Sequence, residues 1–204
     1  MKSILFVFIL IFLSSGCSQK QISRQEQLAI MNRNKQAATQ RYVGFTKDEL
    51  ANAAEKVLYL IDPSDMTVMH QENRVIAVRS YMLFMIFNSL WGSDTWVVDL
   101  KKNGEQEYDV SVSALGGQNI GMFATPPQAR SPEEISPDFS ALSESDIKLF
   151  FSRLDYFLKK NTTWKTCKDA KKDMNNYIGN FLFICGGETR VGIEDETPSY
   201  FNNK

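Results

Sequence analysis

The chain has 204 residues, of which 43% are hydrophobic and 23% are charged, and its formal net charge is −1. This length is sufficient for one domain with a sizeable buried core. Because 23 lysines and arginines nearly balance 24 aspartates and glutamates, the composition gives no electrostatic basis for phosphate binding, and we expect no nucleic-acid partner.

The first seventeen residues have the layout of a secretory signal. Lys2 supplies a positive charge, and residues 4–13 form an unbroken apolar run. As a helix this run is about 15 Å long, roughly half the thickness of the bilayer's hydrocarbon core, so it is too short for a permanent span. Small residues at positions 14–16 then lead to Cys17, as they do at a signal-peptide cleavage site.

The segment that ends at Cys17 reads Leu-Ser-Ser-Gly-Cys and resembles the lipobox of bacterial lipoproteins, although Ser14 stands where that family usually has an aliphatic residue. The resemblance implies that residues 1–16 are removed and that Cys17 is acylated, and two or more acyl chains anchor a protein stably in a membrane. Ser18, in place of an aspartate that favours the inner membrane, implies an outer-membrane anchor with the protein facing the periplasm. An ordinary secretory signal that ends by chance in cysteine is the alternative.

Two further cysteines, Cys167 and Cys185, predict a disulfide, because the periplasm is oxidising and the pair is even. A loop of roughly eighteen residues closed in this way contributes about 3 kcal/mol in the chain-entropy model. Free thiols are the alternative. Two thiolates and the lone His70 do not make a tetrahedral zinc site, so we expect no metal and no cofactor.

The chain order predicts one domain on a tether. Residues 17–45 are the lipidated N-terminus and a polar, glutamine-rich spacer that is compatible with a helix, residues 46–187 are a single α+β domain, and residues 188–204 are a polar tail. Within the domain, Thr46 and Glu49 form a capping box in front of apolar residues at helical spacing.

Four strands are predicted after this helix, because β-branched and apolar residues alternate with turn signals. They cover residues 67–71, 74–87, 95–101 and 106–114. The turns between them are placed at Glu72-Asn73, Trp91–Asp94 and Asn103-Gly104, and Gly116-Gly117 is expected to end the last strand. Short turns between consecutive strands imply an antiparallel meander.

The residues that follow the fourth strand predict helices that pack on one face of this meander, which is an α+β arrangement. The proline-rich residues 125–142 indicate a long surface connection, and a helix is expected to begin at Ser143 or Ser145. A shorter helical stretch at residues 164–178 carries Cys167, and an apolar segment at 181–185 carries Cys185.

The most hydrophobic run of the mature chain, Tyr81–Phe87, is interpreted as a strand buried on both faces. Trp91 and Trp96 flank the predicted turn and are candidate partner contacts, with burial in the core as the alternative.

The function predicted from the sequence is that of a non-catalytic structural or interaction subunit of an envelope complex, which contacts the membrane through its lipid and another envelope protein through the domain. No nucleophile–base pair or phosphate-binding loop is recognisable, and His70 is the lone histidine. A tethered binding module for a small or lipidic ligand is the alternative. An enzyme is the least favoured class.

Overall fold

A five-stranded antiparallel sheet forms the domain in the computed structural model, which describes residues 23–85, 88–122, 124–173, 183–185 and 198. The strands are β1 (Thr39–Val43), β2 (Met66–Gln71), β3 (Arg74–Met85), β4 (Asn88–Gly104) and β5 (Glu107–Gly121). Their order across the sheet is β1-β5-β4-β3-β2. The predicted α+β class and the meander of β2 to β5 are confirmed, whereas the predicted count of four strands is wrong.

The additional strand, β1, comes from the segment that was interpreted as a polar tether. It pairs with β5, with Thr39 opposite Ser111 and Val43 opposite Glu107. Of its side chains only Tyr42 is buried, and the Tyr42 hydroxyl donates to Asp155 at 2.9 Å. A strand of five residues with one buried side chain is too short and too polar to show the alternation by which strands are recognised.

Two predicted strand ends are also wrong. The supposed turn at Trp91–Asp94 lies inside β4, and Gly116-Gly117 lies inside β5, where Gly116 is opposite Asp94. The glycine in this part of β4 serves close packing instead of a turn, because a Cβ on Gly92 would lie 2.0 Å from the Tyr81 ring.

The predicted hairpin turns at the other end of the meander, between β2 and β3 and between β4 and β5, are present. Residues 72–73 form the turn between β2 and β3, and residues 105–106 form the turn between β4 and β5. The second turn lies two residues beyond the predicted Asn103-Gly104, because the strand pairing continues through a bulge between Lys102 and Gly104.

The described helices are α1 (Arg24–Ala37), α2 (Lys47–Tyr59), α3 (Glu144–Phe157) and α4 (Cys167–Asp173), with two 3-10 turns at Pro132–Glu134 and Phe183–Cys185. The described residues divide into two units at the boundary between Ile30 and Met31, and the sheet belongs to the second.

The predicted cap of α2 is confirmed. The Glu49 N–H donates to the Thr46 hydroxyl at 3.2 Å, and the Thr46 N–H donates to the Glu49 carboxylate at 2.8 Å. Ser143 caps α3 in the same way with Asp146. The buried Asp146 carboxylate also accepts the Ile184 N–H at 3.1 Å, so this cap holds a C-terminal segment against the helix.

One hydrophobic cluster joins α2 and α3 to alternate residues of the sheet. Helix residues such as Leu50 and Phe150 are fully buried in it. The strands contribute every second side chain, as expected for one face of a sheet. These strand residues are Tyr42, Met66, Val75, Ala77, Trp96, Val98, Leu100, Tyr108, Val110, Val112 and Ala114.

The intervening residues of β3 and β4 are buried as well. Ile76 and Val97 lie opposite each other and are 0% exposed. The 3-10 turn at Pro132–Glu134 contacts β4, and the adjacent Ile135 is 2% exposed. The proline-rich segment that was predicted as a surface connection therefore contributes to the buried interior.

Candidate interaction surface

Three strands of the sheet continue where the outer two do not. β2 pairs with β3 only as far as Arg79, and β1 pairs with β5 only as far as Ser111. Beyond these points β3, β4 and β5 remain paired to each other. We call the continuation the arm and define it as residues 80–85, 88–93 and 116–121.

Large apolar side chains of the arm are exposed to solvent. On β3, Met82 is 41% exposed and Phe84 is 76% exposed, while Ile120 of β5 is 64% exposed. Met122, which directly follows the arm, is 67% exposed. The interpretation of Tyr81–Phe87 as a strand buried on both faces is therefore wrong at Met82 and Phe84, and residues 86–87 lie outside the described residues.

Both faces of the arm carry exposed apolar side chains. Residues of β3 alternate between faces, so Met82 and Phe84 share one face and Tyr81 occupies the other. The register places Gln118 opposite Gly92 and Gly92 opposite Tyr81, which puts Ile120 on the Tyr81 face. A sheet that packs only against the helices of its own domain needs one apolar face. Apolar side chains on the second face therefore require a different explanation.

The arm carries no charge. Residues 80–93 and 110–129 contain no Asp, Glu, Lys, Arg or His, in a chain of which 23% is charged. Interface cores are depleted in charge and enriched in aromatic residues and methionine, so this composition is typical of a surface that another molecule covers. The two uncharged stretches were visible in the sequence, but an apolar core strand has the same appearance.

A buried cluster of charges marks the point where the arm leaves the core. The Arg79 guanidinium contacts the Asp94 carboxylate through two nitrogens, one at 2.9 Å, and lies 3.6 Å from the Asp62 carboxylate. All three side chains are at most 8% exposed. Burial raises the pKa of Asp94, and the positive charge of Arg79 opposes this shift.

The cluster extends into the arm through Tyr81. The Arg79 guanidinium lies 4.8 Å from the centre of the Tyr81 ring, and this ring covers the backbone at Gly92. The Tyr81 hydroxyl accepts a hydrogen bond from the Gln118 amide at 2.9 Å. One residue from each of the three strands is thus tied together, which stiffens the base of the arm.

The two tryptophans that were predicted as partner contacts have different environments. Trp96 is 0% exposed in the core cluster, so its assignment as a contact is wrong and the alternative, burial, is correct. Its position follows from the strand register, because even-numbered residues of β4 face the helices. Trp91 is half-buried in the arm, opposite Met82.

The other predicted site residues are the cysteines. Cys17 lies outside the described residues. The structure joins Cys167 at the start of α4 to Cys185 in the last 3-10 turn, with Cα atoms 6.0 Å apart, a separation within the normal range for a disulfide.

Chemistry-bearing groups elsewhere are sparse in the described part of the chain. His70 pairs with Glu55 at 2.9 Å, and both side chains are more than 40% exposed. The described residues contain no group of three or more His, Cys, Asp or Glu side chains that could hold a metal ion. Among them there is also no helix whose length and hydropathy suffice to cross a membrane.

A small cavity lies between the last turns of α1 and the end of the proline-rich segment. Its walls include Met31, Asn34, Pro137 and Leu142, and its volume is about 40 Å³. This space suits water molecules, whereas sites for small organic ligands usually measure about 300–1,000 Å³.

Comparison of the chain with protein-family models, with curated proteins and with solved structures found no match. The argument for an interaction role therefore depends on the geometry and composition of the arm.

Proposed function

We propose that this chain is a lipid-anchored, non-catalytic interaction subunit of a complex in the bacterial envelope, attached through Cys17 and facing the periplasm. The observation that supports the interaction role is the uncharged arm, on which Met82, Phe84 and Ile120 are exposed. The attachment rests on the lipobox-like sequence. The outer membrane is the proposed location, because Ser18 follows the lipidated cysteine.

The physical basis of the docking role is the apolar surface of the arm. A fully buried Leu, Ile, Phe or Met side chain contributes about 1.5–3 kcal/mol relative to an exposed one. Several such side chains on one arm are thus a sufficient anchor for a partner. The Arg79 cluster and Tyr81 hold the base of the arm in place, so little ordering is required when the partner binds.

The test is an in vivo crosslink followed by purification of the full-length chain from membranes, in four forms. Wild type is compared with Cys17→Ala, Phe84→Ser and Val43→Ser. Val43 is the matched control, because it is 67% exposed but lies at the other end of the sheet, opposite Glu107.

We expect wild type and Val43→Ser to capture the same stoichiometric partner at the membrane. Phe84→Ser should remain at the membrane and lose the partner, and Cys17→Ala should leave the membrane. Unchanged membrane fractionation of Cys17→Ala would contradict the anchor. Equal capture by Phe84→Ser and wild type would contradict docking through the arm.

A further inference from the structure

No described strand pairs with the outer edge of β3 along the arm. Among the described residues, β2 is the strand on that side, and its pairing stops at Arg79. Within the part of the chain that the structure describes, the strand edge of residues 80–85 therefore presents backbone N–H and C=O groups without a strand partner.

The arm's other edge strand, β5, differs because the chain folds back on it. The Ala124 N–H donates to the Gly121 carbonyl at 3.4 Å, and the Asn119 amide donates to the Thr125 carbonyl at 3.0 Å. The chain itself thus occupies the end of the β5 edge, whereas no described residue makes such a contact along the β3 edge of the arm.

Natural proteins protect such an edge with charge, proline or a bulge. Residues 80–85 read Ser-Tyr-Met-Leu-Phe-Met and contain no charge and no proline. The pairing of β3 with β4 is also regular from Arg74 to Met85. An unprotected, uncharged edge of this kind is a template for a strand of another chain.

The backbone groups decide which class of molecule covers the arm. A lipid bilayer would bury the apolar side chains, but it has no partner for the N–H and C=O groups of an open strand edge, and open edges do not occur in the hydrocarbon region. A strand of another protein molecule satisfies these groups, and its side chains pack beside those of β3, including Met82 and Phe84.

We propose that the β3 edge of the arm pairs with the same edge of a second copy of this chain, the two β3 strands running antiparallel about a two-fold axis close to residues 82–83. This inference rests on the proposed docking role of the arm and names the partner. The sheets of the two copies then join across the axis into one continuous sheet.

A second copy fits this edge in three respects. A two-fold axis brings identical strands together antiparallel, so one surface serves both partners and the assembly closes at two copies. Since the arm is neutral, two arms approach without charge repulsion, although the chain as a whole is acidic. Met82 and Phe84 lie on the same face, so they extend across the axis toward the same side chains of the other copy.

The experiment uses the full-length chain, with two different affinity tags co-expressed in the same cells. Met82→Cys places a thiol near the proposed axis. Val43→Cys is the matched control at the far end of the sheet. Membranes are treated with a short thiol-to-thiol crosslinker, and species that carry both tags are quantified on denaturing gels.

We expect Met82→Cys to give at least about ten times more doubly tagged dimer than Val43→Cys, because antiparallel neighbours on one face lie about 5–8 Å apart. Adding Phe84→Lys to Met82→Cys should lower the dimer yield by at least about tenfold, since a lysine on an edge strand opposes pairing and like charges would then meet near the axis.

Three results would overturn the inference. Equal dimer yields from Met82→Cys and Val43→Cys would show that the arms do not meet. An adduct of Met82→Cys with a different protein would identify a different occupant, and it would leave the proposed interaction role intact. Crosslinking to neither protein, with the introduced thiol of Met82→Cys protected only in the presence of lipid, would assign the arm to the bilayer. Fractionation of the same samples tests the anchor separately.

Discussion

The two halves of strands β3 to β5 share a backbone ladder and differ in what covers them. In the core half, Val75 and Trp96 are fully buried beneath the helices, whereas Phe84 in the arm is 76% exposed. Both halves are rich in apolar residues, so hydrophobicity does not separate them. The comparison shows that an apolar strand sequence indicates side chains that favour burial. The surrounding elements determine whether the same chain buries them.

The largest expected loss of stability distinguishes the two halves, and it is measured by replacing one tryptophan in each half. Trp96→Ala should lower the free energy of unfolding by about 3–5 kcal/mol, because it leaves a cavity in the core. Trp91→Ala should cost less than half as much, since Trp91 is half-buried in the arm. Urea unfolding followed by circular dichroism measures both. Equal losses would mean that the arm is packed as tightly as the core.

The boundary between the halves depends on Arg79. Arg79→Met should cost about 3–5 kcal/mol, because it leaves the buried Asp94 and Asp62 carboxylates without their cation. Arg41→Met is the control, since Arg41 makes comparable contacts to Asp109 and Glu107 on the exposed surface and should lose far less. Losses of similar size in the two variants would show that the cluster is not a buried support of the arm.

Removal of the disulfide measures how much this bond stabilises the helical layer over the core half. Cys167→Ser combined with Cys185→Ser should lower the free energy of unfolding by about 3 kcal/mol. The removal of both sulfurs avoids a lone thiol that could exchange. Non-reducing mass analysis of wild type should find no free thiol at these positions, and complete alkylation without reductant would contradict the bond.

A smaller effect is expected at the cap of α2, where hydrogen bonds from the Thr46 N–H and hydroxyl lower the pKa of Glu49. A carboxylate whose pKa is lower in the folded state stabilises the fold above its unfolded pKa, about 4.3, and loses this contribution as the pH falls through the folded pKa. Wild type should therefore lose more stability than Glu49→Gln between about pH 5 and pH 3. Glu105→Gln in the β4–β5 turn is the control, and an acid response in Glu49→Gln that matches wild type would contradict the assignment.

Local rules predicted much of the core half. The capping box at Thr46 and Glu49 specifies the start of α2 within the sequence itself, and the turn at residues 72–73 is visible for the same reason. These features depend on neighbours three or fewer residues apart. The β4–β5 turn was placed two residues early, because a bulge cannot be recognised from local composition.

The arm was not predictable in this way, since its features depend on distant residues. Gly92 resembles a turn until Tyr81 is known to cover it from the neighbouring strand. Tyr42 is one buried residue in a polar segment, and only its pairing with β5 reveals a strand. Arg79 and Asp94 are fifteen residues apart, and only the strand register brings their side chains together.

The smallest expected effect gives the most direct test of the arm. Phe84→Ala should change the free energy of unfolding of the single chain by no more than about 0.5 kcal/mol, because an exposed side chain loses few contacts. Phe150→Ala, at a position that is 0% exposed, is the matched core variant and should cost about 3–5 kcal/mol. If a second copy covers the arm, the stability of wild type should rise with protein concentration, because binding stabilises the folded state by mass action. Phe84→Ala should weaken this concentration dependence and Phe150→Ala should retain it, so a dilution series distinguishes an arm covered by another molecule from one that is simply exposed.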